Sequence, residues 1–224
     1  MINSIKIFGC ILLCTALLAC SDNSSTVNDK YIEGKHYRTL ANPIIHPSDD
    51  IVITEFFWYG CSHCAKFEPV LEAWEAKLPA GITVEKSPAM WNAQMKLHAS
   101  IYYLSQTLET SDKLHAQLFN TITSIKAKKD LEVQKETIAS LFETHGLTKE
   151  TFAQQLGSFK IKGQVSQAEK RMKQAKLKGT PLVVVNGQYA VNNQSIKTLE
   201  ELLDIASFLI EKIQAEKQDA TDQH

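Results

Sequence analysis

Ile51-Val52-Ile53-Thr54-Glu55-Phe56-Phe57-Trp58 is a β-branched and aromatic run that predicts a central buried strand, and it leads through Tyr59-Gly60 straight into Cys61-Ser62-His63-Cys64. Beyond the second cysteine, Phe67, Leu71, Trp74 and Leu78 recur at spacings of four, three and four, the apolar stripe of a helix that begins near Cys61. A strand, a turn and a helix therefore meet at a Cys-x-x-Cys pair. The placement matters chemically, because a thiolate, not a thiol, attacks a disulfide. At a helix N-terminus its charge is stabilised by free backbone N–H groups and the helix dipole. Cys61 occupies that place. Cys64, one turn further in, would be the resolving thiol, and His63 between them can add positive charge or a hydrogen bond to the Cys61 thiolate. A pair whose reduced form is stabilised in this way tends to give its disulfide away, so the motif leans towards an oxidant.

Working outward, residues 82–86 read as a second strand. From 91 to about 178 the periodicity is helical: Leu97, Ile101, Leu104 and Leu108 form one stripe, Leu114, Leu118, Ile122 and Ile125 another, and Ile138, Leu141, Phe142 and His145 a third that stops at Gly146. Helices follow one another here without an intervening strand. Sheet signals return after Pro181: residues 182–185 are continuously apolar, Asn186-Gly187 is a two-residue hairpin turn, and 189–191 start the partner strand. Thr198 and Glu201 have capping-box spacing ahead of a last helix with a broad apolar face formed by Leu199, Leu202, Leu203, Ala206, Leu209, Ile210 and Ile213.

The chain has 224 residues, enough for one domain or one domain with a large insertion, and its 44% hydrophobic and 22% charged content is that of a globular protein. Lys plus Arg number 24 against 25 Asp plus Glu, so no overall basic field favours a phosphate backbone, and nucleic acid is not an expected partner. Lys6 followed by the apolar run 7–19 is short for a membrane span and fits a secretory signal. Its end, Leu17-Leu18-Ala19-Cys20, followed by the polar stretch 21–30, resembles a bacterial lipoprotein signal. That resemblance implies a lipid on Cys20, an anchor to a membrane and a periplasmic location, with an uncleaved anchor or ordinary cleavage to a soluble periplasmic protein as alternatives. Cys10 and Cys14 would leave with the signal, and the folded part keeps only Cys61 and Cys64. A zinc site needs four ligands and would find no further cysteine there, and so short a loop gains little as a structural disulfide.

Glu55-Phe56-Phe57-Trp58-Tyr59-Gly60-Cys61-Ser62-His63-Cys64, followed by Phe67-Glu68, resembles the active-site region of the DsbA family of periplasmic thiol:disulfide oxidoreductases, members of the thioredoxin superfamily. Gly179-Thr180-Pro181 is similar to that family's cis-proline loop, and the helical block to the domain its members insert. The resemblance covers about 36–213 and implies an α/β thioredoxin fold with an inserted all-helical domain. It divides the chain into a signal (1–19), a tether (20–35), thioredoxin-like parts (36–90 and 164–213) around a helical insertion (91–163), and a disordered tail (214–224).

The implied activity is that of a dithiol oxidase with no cofactor beyond the Cys61–Cys64 disulfide. Its partners would be newly exported cysteine-containing chains and a quinone-linked membrane oxidase of the DsbB type. Thr180 and Pro181 would hold the substrate backbone. By position, Glu55, Glu68 and Lys86 match charged residues that flank the family's active site. Read from the residues alone, Glu55 either faces solvent or belongs to a buried proton relay, and Glu68 is more readily a helix-surface residue. Two positions depart from the family's commonest pattern: Ser62 stands where Pro is usual, and Thr180 where some members carry Val. A reductase or isomerase of the same fold and a non-enzymatic chaperone are the alternative functions.

Overall fold

The computed structural model describes residues 30–128 and 130–222. Five strands form one mixed sheet, β1 (Tyr37–Thr39), β2 (Ile51–Phe57), β3 (Ile82–Pro88), β4 (Leu182–Val185) and β5 (Tyr189–Val191), in the order β1-β5-β4-β2-β3. Seven helices surround it: α1 (Ser62–Glu75), α2 (Ala93–Ser105), α3 (Ser111–Ile125), α4 (Leu131–Glu143), α5 (Lys149–Leu156), α6 (Phe159–Gln174) and α7 (Leu199–Asp222).

β2 is parallel to β3 and antiparallel to β4, and every one of its residues is buried, which explains why its sequence does not alternate. Along β4 the two faces separate: Leu182 and Val184 enter a core shared with the helical insertion, whereas Val183 and Val185 enter a second core roofed by α1 and α7. The hairpin from β4 to β5 turns on Asn186 and Gly187, with φ of 51° and 62°, the two left-handed residues that this turn type requires. A Cβ on Gly187 would lie 1.9 Å from the Ile44 carbonyl oxygen, so the position also permits close approach of the 44 loop. The edge strand β1 has only three residues, too short for a periodic signal, and owes its existence to pairing with β5.

Four helices of the insertion start on side-chain caps from Asn92, Asp130, Thr148 and Ser158. α4 ends before Gly146 with the Leu147 N–H bonded to the Phe142 carbonyl at 3.1 Å. At the start of α7 the Glu201 N–H reaches Thr198 Oγ1 at 3.3 Å, while the Glu201 carboxylate caps the Lys197 N–H.

Three expected boundaries move. α6 runs unbroken through Gly163, so a division between 163 and 164 would cut a helix, and the helical block continues to Gln174. The tail expected to be disordered from 214 is helical to Asp222, as an extension of the apolar-faced α7. At the other end, residues 30–35 are not a free tether: Tyr31 is buried and packs edge-on against Phe208 of α7. The signal, Cys20 and the rest of the tether lie outside the described residues.

Candidate active site

β2 delivers the chain to Tyr59-Gly60, and Cys61 then serves as the N-cap of α1 in an extended conformation, with φ −90° and ψ 116°. The turn is tight because the Trp58 indole folds back over Gly60, where a Cβ would fall 2.3 Å from the ring. α3 holds the same turn from outside: Lys126 Nζ donates to the Gly60 carbonyl at 2.8 Å and Thr123 Oγ1 to the Tyr59 carbonyl at 3.3 Å.

Both cysteines are free thiols, Cys61 partly exposed and Cys64 buried. Cys61 Sγ accepts the Cys64 backbone N–H at 3.4 Å and lies 3.4 Å from the Thr180 carbonyl oxygen. Thr180 precedes Pro181 across a cis peptide bond, and its contact with Cys61 joins two sequence segments 119 positions apart into one surface. The Cys61 thiol is pulled down to about 5, chiefly by a hydrogen bond from the Cys64 thiol, against the opposing effect of burial and with help from Thr180 and the Cys64 and His63 backbone. Burial, together with the hydrogen bond to Cys61 and the nearby charges of Cys61 and Glu55, drives Cys64 strongly the other way. One sulfur is therefore a thiolate at neutral pH and the other stays protonated.

The His63 imidazole is exposed, and among the described residues no hydrogen bond or ion pair reaches it; its contribution to Cys61 in this conformation is made by its backbone N–H.

Beneath the dithiol lies a charged cluster. Parallel register sets Glu55 of β2 beside Lys86 of β3, and Lys86 Nζ contacts Glu55 Oε2 at 3.0 Å and Glu68 Oε2 at 2.6 Å. Glu55 has no exposed surface and faces the protein interior, not solvent. Glu68 is 8% exposed, which corrects its reading as a helix-surface residue: it lies one turn beyond Cys64 on the face of α1 turned towards the core. Burial raises Glu55 to about 8 despite Lys86. Burial also pushes Glu68 up, but the approach of His115 and the charge of Lys86 outweigh it, and its net shift is downward. Lys86 is raised, because the two carboxylates overcome its burial.

Two participants carry no sequence signal. His115 of α3 brings Nε2 to 3.3 Å from Glu68 Oε1 and Nδ1 to 2.7 Å from the Tyr59 hydroxyl. Both occupy apolar-looking positions in their segments, and only tertiary contact gives them partners. A second buried chain runs from Trp58 Nε1 to His98 Nδ1 at 3.0 Å and on from His98 Nε2 to Gln134 Oε1 at 3.0 Å, with burial lowering His98 to about 4. Among the described residues, no three His, Cys, Asp or Glu side chains gather to hold a metal ion, and no helix is long and apolar enough to cross a membrane.

A reduced dithiol at the N-terminus of a helix, facing a cis-proline loop across a mixed sheet with a helical insertion, defines a dithiol-disulfide exchange protein built on the thioredoxin fold. The model of the DSBA-like thioredoxin domain matches residues 52–204, and the chain belongs to that family. Similar curated proteins include the thiol:disulfide interchange protein DsbA of Azotobacter vinelandii, 32% identical over 209 residues that span 92% of this chain and 96% of that one. The protein of the same name from Pseudomonas aeruginosa is 33% identical over 207 residues, spanning 91% and 97%. The crystal structure of Pseudomonas aeruginosa DsbA superposes with a TM-score of 0.73 at 33% identity, covering 85% of this chain and 98% of that one. DsbA from Xylella fastidiosa, 23% identical with a TM-score of 0.74 over 83% and 98%, shares the fold.

Proposed function

We propose that this thiol:disulfide oxidoreductase works as a periplasmic dithiol oxidase that donates the Cys61–Cys64 disulfide to exported proteins. The observation that carries the reading is the opposed ionisation of the two sulfurs: Cys61 is held as a thiolate at neutral pH, so the reduced form is the favoured product. A substrate thiolate attacks Cys61 Sγ, the Cys61–Cys64 bond breaks, and its electron pair passes to Cys64, which takes up a proton. A second substrate thiolate then attacks the substrate sulfur of the mixed disulfide and expels Cys61 as a thiolate. The substrate is oxidised by two electrons and the pair is reduced by two.

The Thr180 carbonyl lies 3.4 Å from Cys61 Sγ, and Thr180 with Pro181 holds the substrate backbone beside the disulfide through strand-like hydrogen bonds that read no particular side chain. His63, exposed at the first turn of α1, supplies positive charge to the thiolate when protonated. Glu55, Glu68 and Lys86 form the proton relay to the buried thiol. No cofactor beyond the disulfide takes part, and reoxidation falls to a quinone-linked membrane oxidase of the DsbB type. The lipoprotein-like segment ending at Ala19-Cys20 supports export, cleavage and a lipid tether on Cys20.

The test mixes the oxidised protein with a reduced, unfolded protein that holds two cysteines. One disulfide is transferred per molecule, Cys64→Ala carrying glutathione in disulfide linkage on Cys61 forms a stable mixed disulfide with a single-cysteine substrate and releases glutathione, and Cys61→Ala abolishes transfer. Transfer that survives Cys61→Ala, or faster reduction of existing disulfides than oxidation of thiols, contradicts the reading and favours a reductase or isomerase. For the anchor, the mature chain should begin at Cys20 with the added mass of a lipid, and Cys20→Ala should release it into the soluble fraction.

A further inference from the structure

β4 follows directly on Pro181, and antiparallel pairing brings the end of β5 and the start of β1 beside it, at the end of the sheet from which β2 runs to Cys61. A cavity of about 540 Å³ opens there, walled by Arg38 of β1, Lys176, Lys178 and Gly179 after α6, Leu182 of β4 and Asn192 after β5 among others. Its charge is one-sided, with three cations and no carboxylate among the described residues of the wall. None of the three makes an ion pair among the described residues. Glu33, next to Gly34 of the same wall, turns its carboxylate to the N–H and hydroxyl of Thr39.

The helix dipole accounts for Arg171 and Lys173 in the last turn of α6, but Lys176 and Lys178 lie beyond that turn. Lys176 closes the helix in the left-handed region, at φ 46°, where glycine or asparagine is usual. Its N–H bonds the Lys173 carbonyl at 3.1 Å and the Leu177 N–H bonds the Met172 carbonyl at 3.1 Å. Residues held in such sparsely populated backbone regions cluster at ligand clamps and active sites. Arg38 is partly buried, and a bond from Nη2 to the Ala175 carbonyl fixes its guanidinium, whose other donors have no partner among the described residues. Burial lowers its pKa, and no carboxylate opposes that shift. A partly desolvated guanidinium with free donors and no counter-charge is a place for an anion.

The position of the cavity selects the anion. Lys178 and Gly179 lead into Thr180, whose carbonyl oxygen is 3.4 Å from Cys61 Sγ. A substrate chain laid along 178–180 advances roughly 3.3 Å per residue, so a side chain about two to four residues from its cysteine reaches the cavity. We propose that the cavity of Arg38, Lys176 and Lys178 is a substrate subsite that takes an aspartate or glutamate lying about two to four residues from the reacting cysteine. The inference rests on the dithiol oxidase reading. The backbone contact at Thr180 accepts any sequence, and the cavity adds a preference for acidic segments, with the planar guanidinium matched to a carboxylate. The preference acts on docking and leaves the sulfur chemistry as it stands.

The experiment uses the oxidised full chain and reduced two-cysteine peptides of one sequence that carry Glu, Gln or Lys at these distances on either side of a cysteine. Each rate of disulfide transfer at pH 7 is divided by the rate of the same peptide with hydroxyethyl disulfide, a neutral reference that removes the effect of the nearby charge on the thiol itself. At the best position the Glu peptide should exceed the Gln peptide by about two- to fivefold, the range of a partly exposed ion pair. The Lys peptide should fall below both, and the spread should shrink at about 0.5 M salt. Both lysines are exposed, so their variants spare the core. In Lys176→Gln/Lys178→Gln the ratio of Glu to Gln falls towards one, and Lys178→Glu moves the preference towards the Lys peptide.

Equal corrected rates for the three peptides, or a Glu preference that the lysine variants keep, overturns the proposal. Inorganic phosphate that binds the cavity in calorimetry, with no preference among the peptides, assigns it to a free anion and also overturns the proposal. Failure of this proposal leaves disulfide transfer to all three peptides alike, whereas failure of the oxidase reading leaves transfer to none of them.

Discussion

Cys61 and Cys64 are three positions apart and of the same chemical type, yet their surroundings drive them in opposite directions. The first cysteine caps α1, where its sulfur collects the Cys64 N–H and the Cys64 thiol proton; the second is sealed beneath it. A titration of the reduced protein followed by thiolate absorbance in the ultraviolet should show one sulfur ionising near pH 5 and none other below pH 9. A single midpoint near the ordinary thiol value of 9 would contradict the assignment. Glu55→Gln keeps the shape of the side chain but removes its proton exchange. It should slow reduction of the disulfide near neutral pH by roughly 10- to 100-fold, at or below the lower end of what a positioned proton donor contributes. An unchanged rate in stopped-flow fluorescence would remove Glu55 from the relay.

The cysteines and their helix N-terminus were legible in the sequence because each is a local pattern, whereas the cis-proline loop followed only from the family resemblance. Burial of Glu68 and the approach of His115 were not, since both depend on which face of α1 meets α3. Helical periodicity alone does not rank a glutamate beside Phe67 as buried.

At the scale of elements, the site depends on a hairpin remote from it. β4 presents Pro181 at its start and turns at Asn186-Gly187, whose backbone is pressed against the 44 loop, with the Ile44 N–H bonded to the Gly187 carbonyl at 2.9 Å. Gly187→Ala adds a methyl 1.9 Å from the Ile44 carbonyl oxygen at a φ of +62°. It should therefore cost about 3 kcal/mol or more, combining left-handed backbone strain with overpacking. Urea unfolding measures this, and a loss under about 1 kcal/mol would show that the loop yields freely.

The hairpin turn and the strands beside it were readable from the apolar run and the Asn-Gly pair. β1 was not, because three residues held by pairing to β5 leave no periodic trace. Likewise the end of α7 was drawn where its apolar face stops at Ile213, whereas the helix continues on polar residues to Asp222.

Across the whole molecule, the ionisation of Cys61 links redox state to stability. A group whose folded pKa is depressed adds stability that is complete above its unfolded value and is lost as pH falls through its folded value. Cys61 titrates only in the reduced protein. Reduced protein should thus melt at a higher temperature than oxidised between about pH 7 and the ordinary thiol value of 9, with the gap narrowing as pH falls towards about 5. Glu55, raised to about 8, and His98, lowered to about 4, titrate in both forms. His98 resists protonation in the folded state and withdraws stability as pH falls below about 6.5, whereas Glu55 binds its proton more readily when folded and adds stability over the same range, so the two offset each other in both forms. Calorimetry of the two redox forms across this range measures the gap directly; a gap that widens on acidification would contradict the Cys61 assignment.

The central claim is that thiolate stabilisation at Cys61 makes this pair an oxidant. The measurement that meets it most directly is the reduction potential of Cys61–Cys64 at pH 7, from equilibration in glutathione buffers read by thiol labelling. The account predicts a value close to the ~−120 mV of DsbA itself, a reference for the family and not a quantity derived from this geometry, and a value near the ~−270 mV of thioredoxin would contradict it.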